Sequence, residues 1–191
     1  MKHLTGFLAL FLFAALPLHA AGLDDLTWTT TGGKVTITDC RSSATGELVI
    51  PATIEGNPVT SIGENAFRRC DSLTSITIPN GVTSTNGTFV GCSGLTSVEM
   101  PEGLTSIGPA TFSNCTSLKS ITIPEGVTSI GRGAFGLCTS LTSITIPDNV
   151  TSIGQSAFYQ CSSLASITIP ESVTSIGVAA FRGCSSITSI T

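Results

Sequence analysis

Residues 118–140 read LKSITIPEGVTSIGRGAFGLCTS, and this 23-residue sentence decides the fold because most of the chain repeats it. Its apolar positions are Leu118, Ile121, Ile123, Val127, Ile130, Ala134, Phe135 and Cys138. Residues 120–123 alternate polar with β-branched apolar side chains, which predicts a strand with Ile121 and Ile123 inward and Ser120 and Thr122 outward. Pro124, Glu125 and Gly126 supply a corner, since proline fixes φ and glycine tolerates turn conformations. Residues 127–130 read as a second short strand and Gly131 as the next bend. Residues 132–137 lack β-branched residues and read as a short helical turn that carries Phe135 into the core.

Working outward, copies begin at Leu73, Leu95, Leu141 and Leu164, and a further one starts at Ile187 and runs to Thr191. A period of this length means stacked coils, none of which can bury its apolar face alone. Equivalent residues then form columns: Phe67, Phe89, Phe112, Phe135, Phe158 and Phe181 in one, and Cys70, Cys92, Cys115, Cys138, Cys161 and Cys184 in another. The copy at Leu73 is one residue short and carries Thr85-Asn86 where the others carry Ile-Gly, which marks it as the weak point. Residues 47–72 keep the landmarks Ile50-Pro51, Val59, Ile62-Gly63, Ala66-Phe67 and Cys70, with five extra residues between Pro51 and Val59. They read as a divergent first coil. Residues 26–38, LTWTTTGGKVTIT, read as a β-hairpin around Gly32-Gly33 that closes this end of the stack. The organisation is therefore a segment 1–21, an N-terminal cap and start of the first coil at 22–49, and a solenoid over 50–191 with its last repeat truncated.

The segment 1–21 has the form of a secretory signal peptide: Lys2, an apolar run over 4–16, Pro17 and a small-residue stretch ending at Ala20-Ala21. The run is too short to span a bilayer comfortably. Both histidines, His3 and His19, lie in the removed segment, so the exported chain would have no imidazole for a nucleophilic triad, a general base or a metal ligand. Twelve acidic and eight basic residues give a net charge of −4, and no Lys or Arg cluster exists to hold a nucleic-acid backbone.

The pattern L-x-x-I-x-I-P-x-x-V-x-x-I-G-x-x-A-F-x-x-C over 50–191 resembles the BspA-like, or treponemal-type, leucine-rich repeat family. The preceding hairpin is similar to that family's N-terminal segment. The resemblance implies a β-rich leucine-rich-repeat solenoid with short helical turns, extracellular or surface-exposed, used for adhesion or recognition of host or neighbouring-cell proteins. It implies no enzyme.

Seven cysteines in an exported chain would ordinarily suggest disulfides. Six of them share one inward position with parallel Cβ vectors, which favours buried free thiols acting as small core residues. A linear column cannot surround a tetrahedral ion. Cys40 stands outside the spacing and is the one plausible bridging residue, with Cys70 as its partner. After the repeat proline, Glu102, Glu125, Asp148 and Glu171 form an acidic column, read as solvated turn residues or as weak ligands for a cation or basic partner. The outward strand positions form hydroxyl columns, Ser97, Ser120, Ser143 and Ser166 beside Glu99, Thr122, Thr145 and Thr168, and these are the candidate binding surface. Sequons occur at Asn86, Asn114 and Asn149.

The reading is a secreted or cell-surface, non-catalytic repeat protein without cofactor or metal that binds an extracellular protein or glycan. A spacer module of a longer surface protein is the first alternative, and an ice-binding hydroxyl array the second. No transmembrane segment and no nucleic-acid partner are expected. The truncated copy at Ile187 predicts fraying and self-association through that end.

Overall fold

The computed structural model describes residues 20–191; the signal-like segment, apart from Ala20 and Ala21, lies outside the described residues, as do His3 and His19. After a single 3-10 turn at Leu23–Asp25, the chain is a β-solenoid. The terminal region contains β1 (Leu26–Thr31), β2 (Lys34–Cys40), β3 (Gly46–Val49), β4 (Thr53–Ile54) and β5 (Asn57–Ile62). The regular coils add β6 (Leu73–Thr77), β7 (Ser84–Thr85), β8 (Ser97–Glu99), β9 (Ser106–Ile107), β10 (Ser129–Ile130), β11 (Ser152–Ile153), β12 (Ser166–Ile167), β13 (Ser175–Ile176) and β14 (Ser189–Ile190).

β1 and β2 pair antiparallel around Gly32 and Gly33, whose φ values of 58° and 70° suit a two-residue hairpin turn. The extra residues after Pro51 make a second small hairpin, β4 with β5, turning at Glu55 and Gly56. β2 lies parallel to β5, so the terminal hairpin covers the first coil edge-on. Val35 and Ile37 are fully buried there.

Each regular coil has three sides. On the first, β3, β6 and β8 pair in parallel register, single bridges join Thr122 to Thr145 and Thr145 to Thr168, and β12 pairs with β14. On the second, β7, β9, β10, β11 and β13 form a parallel ladder. Each repeat threonine staples that ladder twice: the Thr128 amide and its Oγ1 both donate to the Thr105 carbonyl, at 3.0 and 3.3 Å, and Thr151 treats Thr128 alike.

The third side was expected as a short helical turn, but in the structure it is a run of tight turns with no helix. The amides of Ala134, Gly136 and Cys138 donate to carbonyls three residues back, whereas those of Gly133, Phe135 and Leu137 donate to Gln155, Ala157 and Tyr159 of the next coil. Alternate amides are thus committed to a neighbour, and no helix can propagate. The geometry needs two left-handed residues per coil. One column holds Asn65, Gly87, Ala110, Gly133, Ser156 and Ala179, the other Arg69, Gly91, Asn114, Leu137, Gln160 and Gly183, with φ between 53° and 82° throughout. Gly131 was expected as a bend, but close packing is what requires it: a Cβ there would lie 2.6 Å from the Gly108 carbonyl carbon.

The core is the inward columns. Phe67 to Phe181 stack with centroids 5.2–5.4 Å apart, and all but Phe181 are fully buried. The cysteines sit behind them. Cys92, Cys115, Cys138, Cys161 and Cys184 each donate to the phenylalanine carbonyl of the preceding coil at 2.9–3.2 Å. In the short coil, Thr85 occupies the isoleucine column yet is satisfied, because its carbonyl and hydroxyl meet Thr111 Oγ1 at 3.1 and 3.4 Å. That coil is also where the second-side ladder stops, since β7 pairs with β9 but not with β5.

Three outcomes follow from this packing. Phe135→Ala is expected to cost about 3–5 kcal/mol and Ser143→Ala, on the outer first side, within about 0.5, as read from denaturant melts. Ala110→Gly, at φ 53° in a column where two other coils already use glycine, should stabilise the fold by about 0.5–1 kcal/mol in the same assay. Burial pushes Cys92 and Cys138 up to about 12 from an ordinary value near 9. A raised folded pKa means the thiols' contribution is complete below pH 9 and is lost as pH climbs from there towards 12. Melting temperature should therefore fall over that window, and Cys138→Ala should flatten the fall.

Candidate functional site

The first side presents the outward positions of the strands. Ser97, Glu99, Ser120, Thr122, Ser143, Thr145, Ser166 and Thr168 are all exposed there, and the inward Ile121 and Ile123 are buried, as the alternation required. The backbone beneath them is not uniform. Residues 120–123 were expected as a strand, yet Thr122 makes only a single bridge, to Thr145. The amide of Thr96 donates to Thr74 and that of Thr142 to Lys119, but no equivalent bond joins the coil at Leu118 to the coil at Leu95 on this side. The other two sides remain bonded at the same level, through β9 with β10 and through Phe112 with Ala134. The first side is opened locally, between Glu99 and Thr122, while the stack stays closed behind it.

The residues at the opening are the ones that leave the repeat. Val98-Glu99-Met100 stands where other coils have Ile-Thr-Ile, and Lys119 replaces a threonine or alanine. Glu99 does not continue the threonine column. Its Oε2 accepts from Thr77 Oγ1 at 3.1 Å, so the carboxylate folds back over the preceding coil and leaves Thr122 without a partner on that side. At the far end the column is intact, with the Thr168 and Thr191 hydroxyls 3.2 Å apart.

A shallow cavity of about 470 Å³ spans the opening, lined by Glu47, Thr77, Glu99, Met100, Glu102 and Pro124 among others. A second, of about 480 Å³, shares Thr77, Glu99, Met100 and Glu102 with it and continues over Val49, Pro51 and Pro79. Together they make one groove across the first four coils. Its walls carry three carboxylates and no basic side chain, over an apolar floor. Of the acidic column, Glu102 is part of this groove; Glu125, Asp148 and Glu171 are exposed turn residues outside it. Asn149 Nδ2 donates to the Glu125 backbone carbonyl one coil back, a further bond between successive coils. Glu47, Val49 and Met100 were not among the sequence-derived candidates. The signal was the replacement of a Ser and a Thr by Glu47 and Val49 and of the inward isoleucine by Met100.

Among the described residues, no three His, Cys, Asp or Glu side chains converge as a metal site, and no helix is long and apolar enough to cross a membrane.

Comparison with known proteins bears on this surface. No curated protein matches the sequence. Among solved structures, a leucine-rich repeat protein of T. pallidum superposes with a TM-score of 0.77 at 28% identity, covering 88% of this chain and 91% of that one. A leucine-rich cell surface protein of Faecalibacterium prausnitzii gives 0.65 at 31%, and a leucine-rich repeat protein of Bacteroides ovatus 0.62 at 30%; this chain spans 52% of each. Residues 47–88 and 85–191 match the BspA type leucine rich repeat region in six copies, and with that match running over most of its length, the chain belongs to this family of repeat proteins.

Proposed function

We propose that the protein is an exported, non-catalytic recognition module that binds an extracellular protein partner through its first side, with the groove around Glu99 and Met100 as the specific element. The family supports protein binding as the general role, and one similar structure is named a cell surface protein. The observation that carries the specific part is coincidence: the coil that departs from the repeat, the break in the ladder and the groove occupy one place. An array kept only as a spacer, or as a regular hydroxyl lattice for ice, has no use for that interruption. Three carboxylates over Met100, Pro79 and Pro124 favour a partner segment that offers Lys or Arg beside apolar side chains.

Purified chain assayed against a panel of extracellular-matrix and cell-surface proteins tests this. At least one ligand should lose tenfold or more in affinity on Glu99→Lys with Glu102→Lys, a loss of about 1.4 kcal/mol, and weaken with salt. Glu171→Lys, in the same column but outside the groove, should leave it unchanged. Ligands that respond equally to all three substitutions, or an absence of any ligand, would remove the groove from the function.

A further inference from the structure

We infer that Cys40 and Cys70 form a disulfide that locks the terminal hairpin onto the first coil, and that this pair alone among the seven cysteines is built to do so. The distinction lies in what each sulfur is bonded to. From Cys92 onward, every thiol has its own acceptor, the phenylalanine carbonyl of the coil before it, at 2.9–3.2 Å. That bond fixes each sulfur in the same orientation and keeps neighbours in the column parallel. Cys70 has no preceding phenylalanine coil. In its place stands the end of β2, and the Cys70 thiol reaches only the carbonyls of Cys40 and Arg41, at 3.7 and 3.9 Å. The Cys40 thiol turns to the same Arg41 carbonyl, at 3.7 Å. Both sulfurs thus converge on one oxygen, at distances longer than the 2.9–3.2 Å of the column.

The chemistry is thiol–disulfide exchange with a low-molecular-weight disulfide such as oxidised glutathione. One protein thiolate attacks a sulfur of the reagent and releases one reduced thiol. The second protein sulfur, losing its proton, then attacks the mixed disulfide and releases the other. The protein gives up two protons and two electrons, and one glutathione disulfide becomes two glutathiones. Within the pair, the Cys40 S–H hydrogen-bonded to Cys70 pulls the Cys70 thiol below its ordinary value, which favours it as the attacking thiolate. Cys40 is buried at the end of β2 beside exposed Arg41, Ser42 and Ser43, which gives the reagent an approach.

The consequence is mechanical. Cys40 pairs with Leu26 across the hairpin, and Cys70 closes the turn that begins at Phe67. A bond between them holds the cap against the first phenylalanine without touching the stacked coils beyond. The pair Cys161–Cys184 has the same sequence spacing as the rest of the column, and each thiol keeps its own carbonyl, at 3.1 and 3.0 Å. It is the internal control.

The full chain, folded in oxidised glutathione and then denatured, should show five free thiols by a colorimetric thiol titration, two fewer than the seven present after reduction. Non-reducing peptide mapping should join the tryptic peptide 35–41 to the one beginning at Cys70. Melting temperature should fall by several degrees on adding reductant, and Cys40→Ser should abolish that difference. Cys184→Ser should not. Seven free thiols after oxidation, or a mapped bridge between Cys161 and Cys184 in place of 35–41, would overturn the inference. Should Cys40→Ser fail to fold, the thiol count and peptide map on the unaltered chain decide the matter by themselves.

Discussion

The backbone hydrogen bonds between successive coils are the interaction on which everything else in this protein depends. No coil holds enough apolar surface to fold alone, so Phe135 is buried only because Phe112 and Phe158 lie 5.4 and 5.3 Å to either side. The inter-coil bonds set that spacing on all three sides of the coil. They also dictate residue choice away from the core. Threonine recurs on the second side because its hydroxyl adds a second donor to a carbonyl already taken by its amide. Cysteine recurs behind the phenylalanine because a thiol is small, tolerates burial and can still donate to the carbonyl one coil back.

A ladder of this kind can be broken on one side without collapse, because two other sides keep the coils in register. The solenoid shows this twice. On the second side the break falls between β5 of the first coil and β7 of the short one; the buried hydroxyls of Thr85 and Thr111 meet one step further on, between the short coil and the next, where the ladder is intact. On the first side it falls between Glu99 and Thr122, and there the result is a groove with charged walls. The two substituted side chains also differ in direction: Thr85 points inward and is buried, Glu99 points outward and is exposed.

Cover on the core differs along the stack. At the N-terminal side, β1 and β2 spread over the first coil and bury Val35 and Ile37. In the last coils Ile176, Val178 and Ile190 are more than half exposed, and Phe181 is only partly covered.

The 23-residue period by itself determined the coils, the columns and the side of each strand that faces inward, because alternation in a β-strand admits one assignment once an apolar core must be buried. The hairpin at Gly32-Gly33 was legible for the same kind of reason, a turn chemistry with one economical solution. The third side was less so. Its left-handed positions are filled by Ala110, Ser156, Leu137 and Gln160 as often as by glycine, so the residue types do not announce the backbone they adopt. What only the tertiary structure decided is where the ladder opens. Glu99 is visible in the sequence as an interruption, but whether its carboxylate reaches forward to Thr122 or back to Thr77 depends on the position of side chains 22 and 23 residues away. Cys40 stood out in the sequence as the cysteine outside the column, with Cys70 as its partner, but what brings the two together is β2 lying parallel to β5, a pairing between segments that share no repeat.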